Sequence, residues 1–383
     1  MTNNDSKSIK KSQSTILGTK PSFINAQLLI STGIPSLDTI IGGGLPIGTI
    51  LLLEEDKYGN YAKTILKYFL AEGCVAKHNL LIASQDFPPD KLIFELPAVI
   101  SCEDKSTSCS AVSASPLSIR EAERMKIAWR YENMKASDPL ATKSKNSKYN
   151  SDFGHFFDLT KKMDPSLIDR DRIFCLADSD ITTPVGNDKL KCHPMGFRDC
   201  RYTNLLKKLQ RELKSGGFYV TDKPEKRNIM RIVIHGLGSR LWISDQDPED
   251  HGDLVKFFYC FRSLMRNCYA VAAISVSDIL TEDDTIMMRI ENLSDTAIAM
   301  ESFAGSSKET NPIFKDYHGL LYVKKLSAIN TLAPHCPESY DLAFKMRRKK
   351  FVIEILHLPP DFGEEKEEKV AKFGCGSSKL LDF

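Results

Sequence analysis

The sequence lacks the cysteine spacing that marks most zinc and redox proteins. Its ten cysteines include no CxxC pair, and Cys175 and Cys260 lie inside apolar stretches. Reduced thiols in a cytosolic or nuclear protein are therefore expected. Cys192, His193 and Cys200 are the one grouping that suggests zinc. Because a structural zinc site needs a fourth ligand and usually shows paired short spacings, we expect no metal site.

Long hydrophobic runs and a charge of one sign are also missing. The first twenty residues are rich in Ser, Lys and Asn and contain no apolar core of a signal peptide. No run approaches the roughly 20 apolar residues that cross a bilayer, so no membrane association is expected. The net charge of +2 over 383 residues argues neither for nor against nucleic acid. Any RNA contact must come from a local basic face.

What remains is the composition of an ordinary globular protein. Hydrophobic residues make up 42% of the chain and charged residues 27%, which allows a sizeable core. The composition predicts a disordered tail over 1–27 and a mobile C-terminal tail over 359–383. Between them, a single domain over 28–358 is expected to carry long surface loops at 101–115 and 135–150.

Strands and helices alternate along that domain. Apolar runs typical of buried strands lie at 49–54, 80–83, 172–176, 229–234, 269–276, 296–303, 320–326 and 351–357. Helical periodicity predicts a helix from Ala62 to Leu70 that Gly73 ends, and further helices over 200–215 and from Leu254 to Met265. Alternation followed by a late run of strands predicts a mainly parallel α/β sheet with an antiparallel addition.

The most informative segment is 31–56, STGIPSLDTIIGGGLPIGTILLLEED. A Leu-Asp element, a glycine-rich turn and a buried strand together resemble the entry into a RecA- or KaiC-like ATPase core. An active member continues with GxxxxGK[ST], whose backbone amides cradle phosphate. Here Lys57 and Ala62 replace the two glycines, while Gly59, Lys63 and Thr64 lie within the same stretch. Lys63 and Thr64 are interpreted as ordinary first-turn helix residues, with a residual nucleotide role as the alternative.

The Walker B position is changed as well. The apolar run 229–234 is followed by His235, where a magnesium-binding Asp normally stands, and no carboxylate follows closely. Three carboxylates, Glu54, Glu55 and Asp56, lie directly before the loop and disfavour a triphosphate. We therefore predict no catalytic residue in this chain and interpret His235 as a structural histidine at a strand end.

Several segments resemble the PAXNEB family, to which the fourth subunit of Elongator belongs. STGIPSLD, GGGLP and EEDKYGNYAK resemble its N-terminal signature. Similar segments follow in the same order: WRY at 129–131, FDL at 157–159, IHGLGSRLW at 234–242, ESFAGS at 301–306, NPIFKDYHGLL at 311–321, DLAFKMRRKKF at 341–351 and LHLPPD at 356–361. The resemblance covers about 28 to 361. Arg240 departs from it, because a smaller residue or Pro is expected there.

The resemblance implies a RecA-like α/β core with degenerate Walker motifs. It also implies a hetero-hexameric ring, with two copies each of this chain and Elongator subunits five and six, attached to the catalytic sub-complex. Such a ring binds tRNA and supports formation of 5-methoxycarbonylmethyl- and 5-carbamoylmethyl-uridine at the wobble position. The chain alone is then expected to bind no cofactor, with ATP bound at the level of the ring. Cytoplasmic and nuclear localisation are expected.

Two basic clusters are candidates for tRNA or subunit contacts. Arg347, Arg348, Lys349 and Lys350 form a run directly before a predicted strand. Lys207, Arg211 and Lys214 lie opposite the apolar stripe of the helix at 200–215. Since a basic helix face is often only solvated surface, and the denser run is equally suited to clamping an acidic neighbour, both interpretations stay open. Contacts to phosphate and shape are expected rather than contacts to base edges.

Two other function classes also stay open. One is a KaiC-type ATPase, which the lost glycines and the missing Walker B acid disfavour. The other is a scaffold for transcription or acetylation machinery without direct RNA contact. A tRNA-binding measurement on the assembled ring separates the scaffold from the RNA binder.

Overall fold

A nine-stranded sheet forms the centre of the molecule. The computed structural model describes residues 16–22, 25–100, 153–182, 196–197, 200–242, 252–277, 284–332 and 335–356. The strands are, in chain order, β1 (Thr19–Pro21), β2 (Leu28–Ile30), β3 (Leu45–Pro46), β4 (Ile50–Glu54), β5 (Asn79–Ser84), β6 (Pro97–Val99), β7 (Phe157–Lys162), β8 (Ile173–Leu176), β9 (Met230–Leu237), β10 (Ala270–Val276), β11 (Thr296–Ser302), β12 (Gly319–Lys325), β13 (Leu342–Met346) and β14 (Phe351–Ile355). The helices are α1 (Pro35–Ile40), α2 (Asn60–Val75), α3 (Pro89–Phe94), α4 (Asp178–Thr182), α5 (Cys200–Ser215), α6 (Gly252–Arg266) and α7 (Asp284–Leu293).

The central sheet has the order β14-β13-β12-β11-β4-β10-β9-β5-β8. From β11 to β8 neighbouring strands are parallel, and from β11 to β14 they are antiparallel. This arrangement confirms the predicted fold class, a mainly parallel α/β sheet with an antiparallel addition. Smaller sheets are formed by β1, β2 and β3 and by β6 with β7.

Both faces of the sheet are covered, as strands apolar on both sides require. All five residues of β4 are buried, and its even and odd positions contribute to two separate hydrophobic clusters. α1 and α2 pack on the first cluster, and α5 and α6 on the second. The predicted apolar stripes of these helices are confirmed by the burial of Phe69 in α2, Leu209 in α5 and Phe257 in α6.

The prediction that Gly73 ends its helix is wrong. α2 continues to Val75, and Gly73 lies inside it against the sheet. A Cβ at this position would lie 2.6 Å from Leu80 Cδ2 and 2.8 Å from Arg231 Cδ. Gly73 therefore permits close packing between α2 and the sheet and does not terminate the helix.

The end of the antiparallel addition is protected by hydrogen bonds from helix side chains. β14 is the edge strand, and its outward Phe351 N–H donates to the Tyr68 hydroxyl at 3.0 Å. The Ile353 N–H donates to Ser36 Oγ at 3.4 Å. Tyr68 lies on α2 and Ser36 on α1, so two helices satisfy amides that an edge strand usually exposes.

The tails and long loops fall mostly outside the described residues, and they stay predictions. Within the predicted N-terminal tail, the structure places β1, which pairs with β2 in antiparallel register. Across the part of the chain that is described, no helix has both the length and the apolar character to cross a membrane.

Candidate functional site

At the phosphate-loop position, a short turn joins β4 to α2. Gly59 precedes the helix in the left-handed region, at φ 63°, which favours glycine. The Tyr58 N–H donates to the Asp56 carboxylate at 3.3 Å and the Gly59 N–H to the Asp56 carbonyl at 2.8 Å. In a phosphate-binding loop, such amides face the ligand. Here both amides donate to Asp56, a residue of the loop itself. Lys57, the next residue, is exposed.

The Lys-Thr pair is engaged within the protein. The Lys63 ammonium lies 4.3 Å from the centroid of the Phe87 ring, a cation–π arrangement. Burial and, next, the charge of Lys67 lower the pKa of Lys63, while Glu95 opposes this. The Thr64 hydroxyl donates to the Asn60 carbonyl at 3.0 Å. Ala62 is fully buried in the first hydrophobic cluster, so the position of the second motif glycine belongs to the core.

Glu54 carries a carboxyl group into the end of the buried central strand. It is only 7% exposed. Burial raises its pKa to about 7, and the hydrogen bond and charge of Glu291 act in the same direction, with Lys324 opposing them. A group with this pKa is partly protonated at neutral pH. The repulsion expected toward a triphosphate therefore comes mainly from the other carboxylates of the loop.

At the Walker B position, His235 lies inside β9 and not at the strand end that the sequence predicted. Its Nε2 is 3.7 Å from Glu55 Oε1 and its Nδ1 is 3.7 Å from Asp86 Oδ2. Its ring meets the Phe87 ring edge to face, with centroids 4.5 Å apart. Burial, then the charge of Lys63, lowers the pKa of His235 to about 4. The imidazole is therefore neutral at physiological pH.

The carboxylate missing after His235 in the sequence is supplied from a neighbouring strand. Asp86 follows β5, which is parallel to β9, and its Oδ1 accepts a hydrogen bond from the Ser239 hydroxyl at 2.7 Å. Gly236, at φ 62°, makes this approach possible, because a Cβ there would lie 1.9 Å from Asp86 Oδ2. The signal that was missed is topological: the carboxyl ends of adjacent parallel strands meet at one edge of the sheet.

The basic run 347–350 forms the turn between β13 and β14. Arg347 and Lys350 exchange backbone hydrogen bonds of 2.9 and 3.2 Å, and all four residues are exposed. We call Arg347, Arg348, Lys349 and Lys350 the basic hairpin. The Arg347 guanidinium lies 3.4 Å from a Glu354 carboxylate oxygen. The positive charge of the basic hairpin therefore comes mainly from Arg348, Lys349 and Lys350.

The basic hairpin is joined to β7. The Leu159 N–H donates to the Lys349 carbonyl at 2.7 Å. Lys161 and Lys162, on the same strand, are exposed. The structure thus adds two lysines from a distant part of the sequence to the run, and sequence reasoning missed them because β7 was not predicted as a strand.

The second basic cluster lies elsewhere on the molecule. Arg211 and Lys214 are exposed on α5, whereas Lys207 is half-buried. α5 packs on the second hydrophobic cluster, while the strands flanking the basic hairpin pack on the first. The two sets of candidate residues are therefore on opposite faces of the sheet and do not form one surface.

The suggested zinc ligands fall largely outside the part of the chain that the structure describes, so a zinc site there stays untested. Cys192 and His193 lie outside the described residues, and Cys200 is the first residue of α5. Among the residues that the structure describes, no three His, Cys, Asp or Glu side chains are grouped to hold a metal ion. Burial raises the pKa of the Cys74 and Cys268 thiols to about 12, which disfavours thiolate chemistry there.

Together these features define a class: an α/β protein with a mainly parallel sheet, in which the phosphate-loop position is filled by the loop's own side chains. The PAXNEB protein family model matches residues 12–383, and the chain belongs to this family. It is similar to proteins named Elongator complex protein 4. The one from Danio rerio is 41% identical, covering 96% of this chain and 92% of the relative, and the one from Homo sapiens is 40% identical, covering 96% and 89%.

More distant relatives carry the same name. Elongator complex protein 4 of Saccharomyces cerevisiae is 25% identical, with 92% of this chain and 78% of the relative covered. Among solved structures, a KaiC-like protein from Pyrococcus horikoshii is 13% identical, with 86% of this chain and 99% of that chain covered at a TM-score of 0.42. At that score the likeness adds nothing to the fold class, which the nine-stranded sheet establishes.

Proposed function

We propose that this chain is the fourth subunit of Elongator and acts without catalysis of its own. In this proposal it forms a six-membered ring with subunits five and six, and the ring binds tRNA for the catalytic sub-complex that modifies wobble uridine. The products are 5-methoxycarbonylmethyl- and 5-carbamoylmethyl-uridine, and the complex works in cytoplasm and nucleus. The names of the relatives, over nearly the whole chain, support this assignment.

The observation that carries the RNA part of the proposal is the basic hairpin beside β7. Its four cationic residues and the two lysines of β7 are all exposed. In the described part of the chain, Glu354 pairs with Arg347, and the Asp158 carboxylate accepts from the Thr160 N–H and hydroxyl at 2.9 and 2.6 Å. A surface with this excess of cations suits phosphate contacts, which hold RNA without reading its sequence.

The test is to replace Arg347, Arg348, Lys349 and Lys350 by Gln in the assembled ring and to measure tRNA affinity at several salt concentrations. We expect weaker binding and a smaller salt slope, by roughly 0.7 for each phosphate that is no longer neutralised. The effect should be similar for different tRNA species. The same measurement on a ring with Lys207, Arg211 and Lys214 replaced by Gln tests the second candidate cluster separately.

An intersubunit clamp is the competing role for the same residues. It requires the ring to fall apart before RNA binding is lost, so ring size must be measured in the same samples. Unchanged affinity and salt slope in an intact mutant ring would reject RNA binding by the basic hairpin. The cluster on α5 would then be the next candidate, and an effect from neither cluster would favour a scaffold without RNA contact.

The absence of ATPase activity is proposed from the loop geometry. Because the Lys63 ammonium lies on Phe87 and Asp56 accepts the loop amides, Lys63→Ala should leave phosphate release by the ring unchanged. The purified chain alone should release phosphate no faster than buffer does. A large loss of ring ATPase activity in the Lys63→Ala ring would instead place a working nucleotide site on this chain, with ATP bound at ring level.

A further inference from the structure

A largely apolar groove opens directly beside the basic hairpin. It lies between α1, the edge strand β14 and residues 155–157, and it has a volume of about 570 Å³. This is within the range of roughly 300–1,000 Å³ that small-ligand sites occupy. Lys350 belongs both to the basic hairpin and to the groove wall. We call this cavity the aromatic groove, after the residues that shape it.

The aromatic groove has a fixed floor and an exposed aromatic wall. Tyr68 and Phe157 are buried in the floor, with ring centroids 5.8 Å apart and an edge-to-face geometry. Phe156 also lines the groove but is 52% exposed. Its backbone is held in place, because its carbonyl accepts from the Ile100 N–H at 2.8 Å. An aromatic ring is therefore presented to solvent on a positioned segment.

The polar groups beneath the groove are already satisfied by protein partners. The Glu72 carboxylate accepts from the Gly154 and His155 backbone N–H groups, both at 3.0 Å, and lies 3.1 Å from His155 Nδ1. The Tyr68 hydroxyl accepts from the Phe351 N–H. The space that remains suits a flat, weakly polar group better than an ion.

Cationic side chains lie beside the groove. Lys350 lines it. Thr160 hydrogen bonds are the main cause that lowers the pKa of Asp158, and the charges of Lys349, in the turn, and Lys161, on β7, act in the same direction. A ligand with one flat apolar part and an anionic backbone would place the first in the groove and the second along these cations. An unstacked nucleotide has this chemistry.

We propose that the aromatic groove takes an unpaired base of single-stranded RNA, with Phe156 stacking on the base and the basic hairpin holding the adjoining phosphates. This rests on the proposed tRNA-binding function and names the RNA element involved: a nucleotide unpaired in a loop or at an end. Stacking accepts any base, because every base has an aromatic face. The groove therefore selects single-stranded over double-stranded RNA and does not select a base sequence.

The experiment uses the full-length protein in the assembly in which it purifies. The probe is a short single-stranded oligouridine RNA with one 2-aminopurine, compared with the same strand annealed to its complement. Phe156→Ala should lower affinity for the single strand by about 5- to 150-fold, the range for removing one base–aromatic stack. It should also abolish quenching of the 2-aminopurine, and leave duplex binding and the salt slope unchanged.

Two matched variants complete the design. Phe156→Trp should retain both affinity and quenching, since it keeps an aromatic face. Tyr340→Ala removes another aromatic residue, 56% exposed, and should change neither. Because Phe156 is half-exposed, its replacement should leave the unfolding midpoint within a few degrees, which separates removal of the stacking ring from unfolding of the protein.

The outcomes distinguish the groove from the wider proposal. If the basic hairpin variant lowers the salt slope while Phe156→Ala leaves single-strand affinity unchanged, RNA binding stands and the base site is wrong. If the wild-type protein binds neither probe nor tRNA, the proposed function itself fails. If Phe156→Ala changes assembly size but not quenching, a protein segment occupies the groove and the base site is likewise overturned.

Discussion

Glu54 places an ionisable group at the end of the central strand, in a position that tolerates a carboxylate poorly. It is the only charged residue in β4, and Glu291 of α7 lies within its hydrogen-bonding and electrostatic reach. Burial is the main cause that raises the pKa of Glu54, and the nearby Glu291 carboxylate acts in the same direction, because like charges at close range disfavour ionisation.

The raised pKa of Glu54 makes the stability of the protein depend on pH, and the sign of its contribution is defined. The pKa of Glu54 is about 7 in the folded protein against 4.5 for an ordinary Glu, so the folded state binds more protons than the unfolded chain between these values. The contribution of Glu54 to the free energy of unfolding should therefore fall as pH rises through this window, opposite in sign to the contribution of His235, whose pKa is lowered to about 4. Glu54→Gln removes the titration, and we expect it to be more stable than wild type at about pH 8 by roughly 1–3 kcal/mol.

Denaturant unfolding across the pH range measures this. Glu291→Gln is the matched variant, and it should reduce this pH dependence only in part, because burial still raises the pKa of Glu54. The double variant should gain less than the sum of the two, because either change alone removes the repulsion. A difference in stability between wild type and Glu54→Gln that stays constant between about pH 5 and 7 would contradict the assignment.

At the residue scale, the sequence shows which motif residues are missing better than it shows which residues take their place in the structure. The replacement of motif glycines by Lys57 and Ala62 is readable directly, since each is compared with a fixed spacing. The position of Asp86 beside His235 is not, because the two residues are far apart in the chain and meet only when β5 and β9 pair. The same applies to Lys161, which joins the basic hairpin through β7.

At the element scale, the Tyr68 hydroxyl is one of two side-chain acceptors that hold the edge strand β14. Tyr68→Phe keeps the ring that packs against Phe157 but leaves the Phe351 N–H without its acceptor. We expect a loss of about 1–3 kcal/mol, the cost of a buried amide without a partner. Hydrogen exchange at the Phe351 amide should become faster, while exchange in the central strand β4 changes only with global stability.

Tyr58→Phe is the control for this prediction. Tyr58 is 51% exposed at the phosphate-loop position, and removal of its hydroxyl should change the free energy of unfolding by no more than about 0.5 kcal/mol. Equal effects of the two substitutions would mean that the Tyr68 hydroxyl does not hold the edge strand.

The elements that sequence reasoning found are the long and apolar ones. β4, β9 and β10 are mostly hydrophobic and buried, although β9 also contains Arg231 and His235, and runs of this kind are recognisable from the sequence. β13 was missed because its residues lead into a turn of four cationic residues. That turn contains no Gly, Asn or Asp, the residues that usually mark a hairpin. β6 and β7 are short or end in exposed polar residues, so neither periodicity nor composition marks them.

At the scale of the whole molecule, two large apolar side chains are exposed on neighbouring helices. Tyr259 on α6 and Met288 on α7 are 68% and 60% exposed. Single exposed apolar residues are common, but a surface between two packed helices is a reasonable place for a partner. This agrees with the proposal that the chain works only in assembly with other subunits.

We therefore expect the purified chain to enter a larger complex when Elongator subunits five and six are added. Size-exclusion chromatography with multi-angle light scattering measures the mass of the complex. This mass should match equal copy numbers of the three chains. Tyr259→Asp should weaken assembly if this helix surface is used, whereas Tyr340→Asp, at an equally exposed tyrosine (56%), should not. If the chain stays a monomer in the presence of both subunits, the proposed assignment to Elongator is wrong.

The hydrogen bonds that Tyr68 and Ser36 make to β14 also limit how the molecule can associate. With its outward amides at Phe351 and Ile353 already bonded, this edge offers an incoming strand two fewer donors, so strand addition is disfavoured there. We expect a neighbour at this end to bind mainly through side chains, and such a contact can release and re-form without opening the sheet.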